Sequence, residues 1–595
     1  MYRPTDHQGE LFVAGTDLHP SARKLLEKSW ASGFRRHIFP LLLAEEDRLA
    51  FLYDPANGRP NWSASRMAGL CLIQEWFDMT DRELEQALCF DVRFQHALDL
   101  RPDEAYLSRR SLSDFRLRLV TEDPEMVVFR ELFDAVAKAA IKHLGLSIKR
   151  QRLDSTHVMS NIRSRGRADL FLRTLKHFID DISRDYPDER HRLPKPLREW
   201  YEGKDEESWF GKGGERFALK TLAQWAVDVG FEFSTDKRIR WREPYFLVAR
   251  LVADYCVFDV EEVETHGERV QVTKRSGAEE SSEKPSSPSE DDEDDDNGES
   301  SSGESPPFSS ESSAQNGSAT VQSAPEVSDV LKRGRRGGRS LQSPHDPDAS
   351  YGKRGLGYSL HVTETFGNEN KPEIMTDFGL LDGADNDWGK SIPVTDRLVE
   401  QERAPDILEA DAGYPTPEAL LQATRLGITL HAPVKRLGDE GQVVGLESFS
   451  FDEQGKVVVC PEGHAPIRHA TRREPGCDGP ELHAYFPSEL CANCVLCGRC
   501  VARANKGKQW RVRVEPRIRE RDLAVERQKE PAWWAEYSAR SGIEATMSEL
   551  KRGHGLGRLR VRGRQSVLMR ATLKITACNV KRWLRGVKTE ATAQT

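Results

Sequence analysis

The stretch Tyr-Ser-Ala-Arg-Ser-Gly-Ile-Glu-Ala-Thr-Met-Ser-Glu-Leu-Lys, residues 537–551, carries four outstanding side chains at steps of 3, 4 and 7 residues: Tyr537, Arg540, Glu544 and Lys551. On a helix of about 3.6 residues per turn, these steps place all four on one face. The carboxylate of such a face suits a divalent metal, and its two cations and ring suit phosphates and a base. The alternative is a solvated helix whose charges form ordinary surface pairs.

The charge of the chain is unevenly distributed. Its net charge of −9 arises from residues 279–304, which contribute −11, whereas the remainder sums to +2. Residues 551–588 carry 12 lysines or arginines and no acid, with apolar residues interleaved among them. The interleaving favours a folded helix with a charged face over a solvated basic tail. This basic end predicts a nucleic-acid partner.

The length of 595 residues exceeds what one hydrophobic core can organise and predicts two or three domains. No apolar run approaches the roughly 18 residues that a membrane span needs. Asp6, Glu10 and Asp17 interrupt any signal-peptide pattern at the N-terminus. We therefore expect a cytosolic protein with no membrane partner.

Helical periodicity marks the N-terminal part of the chain. Met67–Trp76 is amphipathic, a second helix begins at Asp81 after the Thr80 cap, and Ser111–Leu119 opens a third. We expect a helical domain over residues 1–140. Such a bundle fits DNA binding and plain packing equally well.

Strands and helices alternate later in the chain, which predicts an α/β domain. Ser147–Thr156 reads as a strand that carries Asp154, within a segment 145–264 that is otherwise largely helical. Ile407–Ala410 reads as a short strand that ends at Asp411. An acid at the end of a strand can point into a cleft, although an Asp-Ser-Thr sequence such as that at Asp154 is also a normal helix N-cap.

Residues 265–343 are rich in Ser, Glu, Asp, Gly and Pro. They lack the apolar surface needed to offset chain entropy, so we predict a disordered linker. It is either inert or an electrostatic shield for the basic surface.

Six of the ten cysteines fall between residues 460 and 500, within a predicted insertion at 441–507. In a cytosolic chain this density indicates a metal before disulfides. Cys460, Cys491 and Cys494, with Cys497 or Cys500, can form a four-thiolate zinc site. Iron–sulfur ligation is less well supported because the proline-rich continuation of bacterial ferredoxins is missing.

Taken together, these features resemble bacterial insertion-sequence transposases of the DDE type that carry a Y-(2)-R-(3)-E-(6)-K signature. The signature positions are matched by Tyr537, Arg540, Glu544 and Lys551, and the first two acids of the family by Asp154 and Asp411. One branch of the family has a cysteine module whose spacing is matched by Cys460, Cys491, Cys494 and Cys500. On that pattern Cys477 and Cys497 are spare.

The resemblance implies an RNase H-like catalytic domain, completed by residues 344–440 and 508–588 around a zinc-ribbon-like module. Asp154, Asp411 and Glu544 would hold two Mg²⁺ ions, and a structural Zn²⁺ would sit in the module. It further implies cutting of element ends and their joining to target DNA by a homodimer at the bacterial nucleoid. The double-stranded DNA would be bound by Tyr537, Arg540, Lys551, Arg552, Arg558 and Arg560.

Several alternatives remain beside this interpretation. Glu549 competes for the role of third acid, but it lies roughly 140° round the helix from Glu544, and spacing favours Glu544. His157 either hydrogen-bonds a metal-bound water or is a structural histidine. The acidic insert is not part of the family pattern, which motivates a non-catalytic DNA-binding derivative, and an RNase H-like nuclease without strand transfer is the third hypothesis.

Overall fold

The computed structural model describes residues 18–54, 61–163, 166–203, 219–258, 260–265, 268–273, 324–327, 338–434, 444–452, 455–472, 481–504 and 509–593. Most of the linker predicted to be disordered, and Cys477, lie outside these ranges. Within the predicted linker, residues 268–273 form a strand. Among the described residues, no helix combines the length and apolarity needed to cross a bilayer.

The N-terminal part of the described chain is a bundle of helices. These are Pro20–Glu27 (α1), Trp30–His37 (α2), Phe39–Ala44 (α3), Ala64–Trp76 (α4), Asp81–Phe90 (α5), Val92–Ala97 (α6), Arg109–Glu122 (α7) and Val127–Leu144 (α8). The predicted cap of α5 is a complete capping box, in which Thr80 and Glu83 satisfy each other's backbone N–H groups. The start of α5 therefore lies where the local sequence predicts it, whereas α4 and α7 begin two or three residues before their predicted starts.

A second helical unit follows the strand Arg150–Val158 (β1). Its helices are Arg167–Asp185 (α9), Lys195–Glu202 (α10), Leu219–Glu232 (α11), Lys237–Arg240 (α12) and Glu243–Tyr255 (α13), and the hairpin Val260–Thr265 (β2) and Glu268–Thr273 (β3) comes next. Large side chains such as Phe171, Phe178 and Tyr245 give these helices a hydrophobic core of their own. The segment after β1 is thus an inserted unit with a separate core.

The central sheet is completed by strands that lie far along the chain from β1. They are Ser350–Gly352 (β4), Gly355–Thr365 (β5), Met375–Asp382 (β6), Ile407–Ala410 (β7) and Thr429–His431 (β8), with the helices Ser391–Glu400 (α14) and Pro417–Arg425 (α15) between them. The order is β6-β5-β1-β7-β8, and β4 pairs with the start of β5. β5 runs antiparallel to β1 and β6, whereas β7 and β8 run parallel to β1. This mixed α/β arrangement is consistent with the predicted RNase H-like fold.

The cysteine-rich segment forms a small unit with its own sheet. Its elements are Ser450–Phe451 (β9), Val457–Val459 (β10), Arg468–Arg472 (β11), Glu481–Pro487 (β12), Ser488–Ala492 (α16), Arg503–Ala504 (β13) and Gln509–Val514 (β14). The larger sheet has the order β11-β12-β14-β13. The catalytic remainder predicted to begin at residue 508 includes β14, but β14 pairs with β12 over six residues. The pairing buries Val512 and Val514 in the core of the unit.

The chain then returns to the central sheet through Pro516–Arg527 (α17), Pro531–Tyr537 (α18) and Ile543–Ser548 (α19), and it ends in the helix Arg564–Ala593 (α20). One face of α20 packs toward the sheet through Val567, Ala571, Ile575 and Cys578. Its other face packs into the N-terminal bundle through Met569, Leu573, Val580 and Trp583. The helix α20 therefore belongs to two hydrophobic cores.

We expect Trp583→Ala to destabilise the protein by about 3–5 kcal/mol, because a buried tryptophan leaves a large cavity when it is truncated. Trp583 is 3 % exposed, and its ring centroid lies 5.5 Å from that of His37. Trp241→Ala is the matched control, since Trp241 is 63 % exposed and its loss should cost within about 0.5 kcal/mol. Urea denaturation followed by circular dichroism measures both, and equal midpoints for the two variants would contradict the packing of α20 into the bundle.

Candidate active site

The parallel pairing of β1 with β7 brings two predicted acids next to each other. The last pair in the register is Leu153 with Ala410, so Asp154 and Asp411 follow as the next position on each strand. Neighbouring strands lie about 4.8 Å apart. Asp154 accepts a hydrogen bond from the backbone N–H of Ser155 at 2.7 Å. The backbone positions of the two acids are therefore fixed by the sheet itself.

The exposure of these two acids differs. Asp154 is buried, whereas Asp411 is exposed in the turn after β7, where its Oδ1 accepts a hydrogen bond from the N–H of Ala412 at 2.7 Å. Burial raises the pKa of Asp154, and the negative charge of Glu544 raises it further, against the opposing effects of Ser155 and Arg540. A nearby cation would therefore stabilise the charged form of buried Asp154 more than that of exposed Asp411.

The signature stretch is helical, but it is not one regular helix. After α18, residues Ser538–Gly542 form a 3₁₀ turn, and after α19, residues Glu549–Gly553 form a π-helical turn. Tyr537 donates a hydrogen bond from its hydroxyl to the carbonyl of Ala410 at 3.2 Å. Arg540 donates from Nη1 to Asp154 Oδ2 at 3.0 Å. These two contacts join the signature stretch to both acid-bearing strands.

Glu544 and Lys551 face the same region. Glu544 is exposed on α19, and its charge reaches both Asp154 and Lys551. Burial and the charge of Arg354 lower the pKa of Lys551, while Glu544 and Asp154 oppose them. The structure therefore brings the signature side chains and the strand acids into one electrostatic neighbourhood.

Glu549, the alternative to Glu544 as third acid, forms ion pairs with α20. Its Oε1 lies 3.0 Å from Lys581 Nζ and its Oε2 lies 3.0 Å from Arg582 Nε, both on α20. Although burial opposes the shift, these cations lower the pKa of Glu549 to about 2. Metal-ligating atoms of Glu549, His554 and Cys578 lie within 4.8 Å of one another, but the carboxylate is already neutralised. Glu544 is the acid of this stretch that faces Asp154.

A fourth carboxylate, Asp387, lies beside the acids and was not singled out from the sequence. Ser155 donates a hydrogen bond from Oγ to Asp387 Oδ2 at 3.3 Å, and His361 Nε2 lies 3.3 Å from Asp387 Oδ1. Against the effect of burial, His361 and Ser155 lower the pKa of Asp387. The charges of Asp387, Asp154 and Asp411 all reach the buried hydroxyl of Tyr414. In the sequence Asp385-Asn386-Asp387 looks like a turn, so no local signal distinguishes it.

The other predicted DNA-binding and water-binding residues lie around the acids rather than among them. Arg552 is exposed on the π-helical turn. Arg558 and Arg560 are exposed beyond the end of β1, where Met159 and Arg558 form a parallel bridge. His157 is half-buried, and burial lowers its pKa. Arg558 and Arg560 therefore lie past the end of β1, the strand that carries Asp154.

The cysteines of the small unit surround one compact cavity of about 30 Å³. Its lining includes Cys460, Cys491, Cys494, Cys497 and Cys500. Backbone N–H groups of His464, Leu496 and Ala502 donate to the sulfurs of Cys460, Cys494 and Cys500 at 3.3–3.4 Å. Burial and the neighbouring thiols raise the pKa of Cys491 to about 11. The donor set is thiol-rich and suits a thiophilic metal.

Comparison with known proteins gives two matches. Residues 459–584 match a family model described as "Transposase DDE domain", and residues 28–118 match one described as "Transposase domain (DUF772)". No curated protein and no solved structure matches the chain. The first matched segment contains the whole signature stretch, and the second contains most of the N-terminal bundle. These two matches support an insertion-sequence transposase that acts on DNA.

Proposed function

We propose that the protein is a DDE transposase that cuts the ends of an insertion sequence and joins them to target DNA by two-metal phosphoryl transfer. The observation that carries the proposal is the register of β1 with β7, which sets Asp154 beside Asp411, together with the Arg540 contact that ties the Glu544 helix to Asp154. All four signature residues, Tyr537, Arg540, Glu544 and Lys551, stand at the expected spacing. This supports assignment of the protein to the Y-R-E-K group. We also propose that the protein acts in the bacterial cytoplasm at the nucleoid, as a homodimer that brings two ends together.

The donor set at the acids fits magnesium. Asp154, Asp411 and Glu544 offer carboxylate oxygens, which are the ligands that this hard cation prefers. Burial and the charge of Glu544 raise the pKa of Asp154, and a bound cation would oppose both effects. Two Mg²⁺ ions bound there would activate the attacking hydroxyl and stabilise the leaving oxygen. Arg540 is the cation in direct contact with Asp154, at 3.0 Å.

The side chains around the acids suit single-stranded DNA near the cut. The ring of Tyr537 stacks on Trp533 at 5.2 Å, and Trp534 beside it is 49 % exposed. Exposed aromatic rings stack on bases without regard to sequence. Arg540 and Lys551 place positive charge next to the acids. A phosphate bound at the acids would therefore also contact these two cations. The chain thus holds the DNA end while the acids hold the metals.

We expect Asp154→Ala, Asp411→Ala and Glu544→Ala each to lower DNA cleavage at least about a hundredfold, because each removes a metal ligand. Binding of end DNA, measured by fluorescence anisotropy, should stay close to that of the wild type. Glu536→Ala is the matched control, as Glu536 is an exposed acid on α18, and it should cleave normally. Cleavage of labelled end DNA by Glu544→Ala at the wild-type rate would refute the assignment.

The same assay separates the other two hypotheses. Mg²⁺-dependent nicking by the wild-type protein would exclude a non-catalytic DNA-binding derivative. Products in which the cut end is joined to a plasmid would exclude a nuclease without strand transfer.

We also propose that the cysteine cavity holds one structural Zn²⁺, bound by Cys460, Cys491, Cys494 and Cys500. Three of these sulfurs carry the backbone N–H contacts that stabilise thiolates. Cys497 is the most exposed cysteine of the group, which supports Cys500 as the fourth ligand.

Purified protein should contain about one zinc per chain, and Cys494→Ser should lose it, because structural zinc sites are closed by four protein ligands. Elemental analysis by mass spectrometry measures the content. Cys497→Ser is the matched control and should retain the metal. Zinc loss in Cys497→Ser with retention in Cys500→Ser would reverse the choice of fourth ligand.

A further inference from the structure

A large open groove runs between the N-terminal bundle and the segment that follows the signature stretch. It has a volume of about 980 Å³. One wall consists of the starts of α5 and α7, and the other of residues 555–561 and part of α20. Arg82, Tyr106, Arg109 and Arg110 lie on the first wall, with Arg558 and Arg560 on the second. We call this feature the arginine groove, and it joins the two segments that match transposase families.

The second wall is an extended strip that is anchored to the end of β1. Met159 N–H donates to the carbonyl of Gly557 at 3.1 Å, Leu559 N–H donates to the carbonyl of Met159 at 2.8 Å, and Asn161 N–H donates to the carbonyl of Val561 at 2.8 Å. Side chains of an extended strip alternate between two sides. Leu559 is therefore buried, while the alternate residues Arg558, Arg560 and Arg562 are all exposed. They form a row of cations with a spacing of roughly 6.7 Å.

The acids on the floor of the groove are mostly neutralised within the protein. Glu75 is buried and pairs with Arg570 and with Lys574, whose Nζ lies 2.5 Å from Glu75 Oε2. Lys574 Nζ also lies 3.1 Å from Asp78, and Arg116 holds Asp81. The floor therefore adds little negative charge to the groove.

The rim arginines make only weak pairs. Arg110 is 91 % exposed and lies 3.8 Å from Asp114, Arg560 is 61 % exposed and lies 3.8 Å from Asp78, and Arg109 is 60 % exposed and lies 3.2 Å from Glu85. Exposed pairs of this kind contribute little free energy. Breaking these pairs to contact phosphates therefore costs little free energy. The arginines on both walls are thus able to bind phosphates.

We propose that the arginine groove binds the backbone of duplex DNA at a fixed distance from the cut. The inference rests on the proposed function and adds the position of the flanking duplex. From Asp154 to Met159 is five residues of extended chain, or about 17 Å. For a duplex whose axis follows β1, a rise of about 3.4 Å per base pair makes that span roughly five base pairs. The arginine row therefore contacts the duplex about five base pairs from the bond that the acids cleave, and α7 contacts the opposite strand.

The test compares paired arginine variants by fluorescence anisotropy with a labelled duplex of about 40 base pairs that carries the element end, across a range of salt concentrations. Arg109→Ala/Arg110→Ala and Arg558→Ala/Arg560→Ala should each weaken binding roughly tenfold and reduce the salt slope by about 2, since each removes two phosphate contacts. Lys195→Ala/Lys237→Ala is the matched control, because it removes two exposed cations from the inserted helical unit. Binding by either arginine pair that equals the control would overturn a groove shared by the two walls.

Ethylation interference locates the contact. On wild-type complexes, blocked phosphates should include a group about five base pairs from the cleaved bond, and Arg558→Ala/Arg560→Ala should lose that group alone. Interference confined to the cut site would overturn the proposal. Asp154→Ala should keep the whole pattern while it loses cleavage, so a failure of the groove and a failure of the catalytic assignment give different results.

Discussion

The charge balance around Asp154 governs the arrangement of the site. The register of β1 with β7 forces two carboxylates into adjacent positions, and α19 adds a third whose charge reaches the first. Such a cluster is unfavourable unless cations compensate it. Arg540 provides one cation through a direct contact, and Lys551 lies close enough to contribute. The stretch 537–551 thus brings positive charge to an acid that lies almost four hundred residues earlier in the chain.

The position of the acids on β1 also explains where the neighbouring arginines lie. β1 leads from the acids directly to the extended strip of arginines, because Met159 pairs with the strip immediately after the strand ends. The backbone pairing therefore holds the arginines of the strip at a fixed position relative to the acids. On the proposed function, a polyanionic substrate that spans both regions would contact one continuous stretch of paired backbone.

Local sequence patterns predict much of this architecture, and long-range packing accounts for the remainder. The apolar run Ile407–Ala410 is the strand that its composition predicts, and Thr80 caps α5 as expected. The 3₁₀ and π-helical turns that flank α19 are not visible in the period-3.6 pattern, and both coincide with long-range contacts: Arg540 with Asp154 on β1, and Glu549 with two cations of α20. Asp387 could not be identified from sequence either, because its contacts with Ser155 and His361 join parts of the chain that lie far apart. The pairing of β14 with β12 was missed for the same reason.

The helix α20 contributes one face to the bundle and the other to the sheet. Because each face completes a different core, neither the bundle nor the side of the sheet that α20 covers is fully packed without this helix. Loss of this single element would therefore expose apolar surface in two parts of the molecule at once.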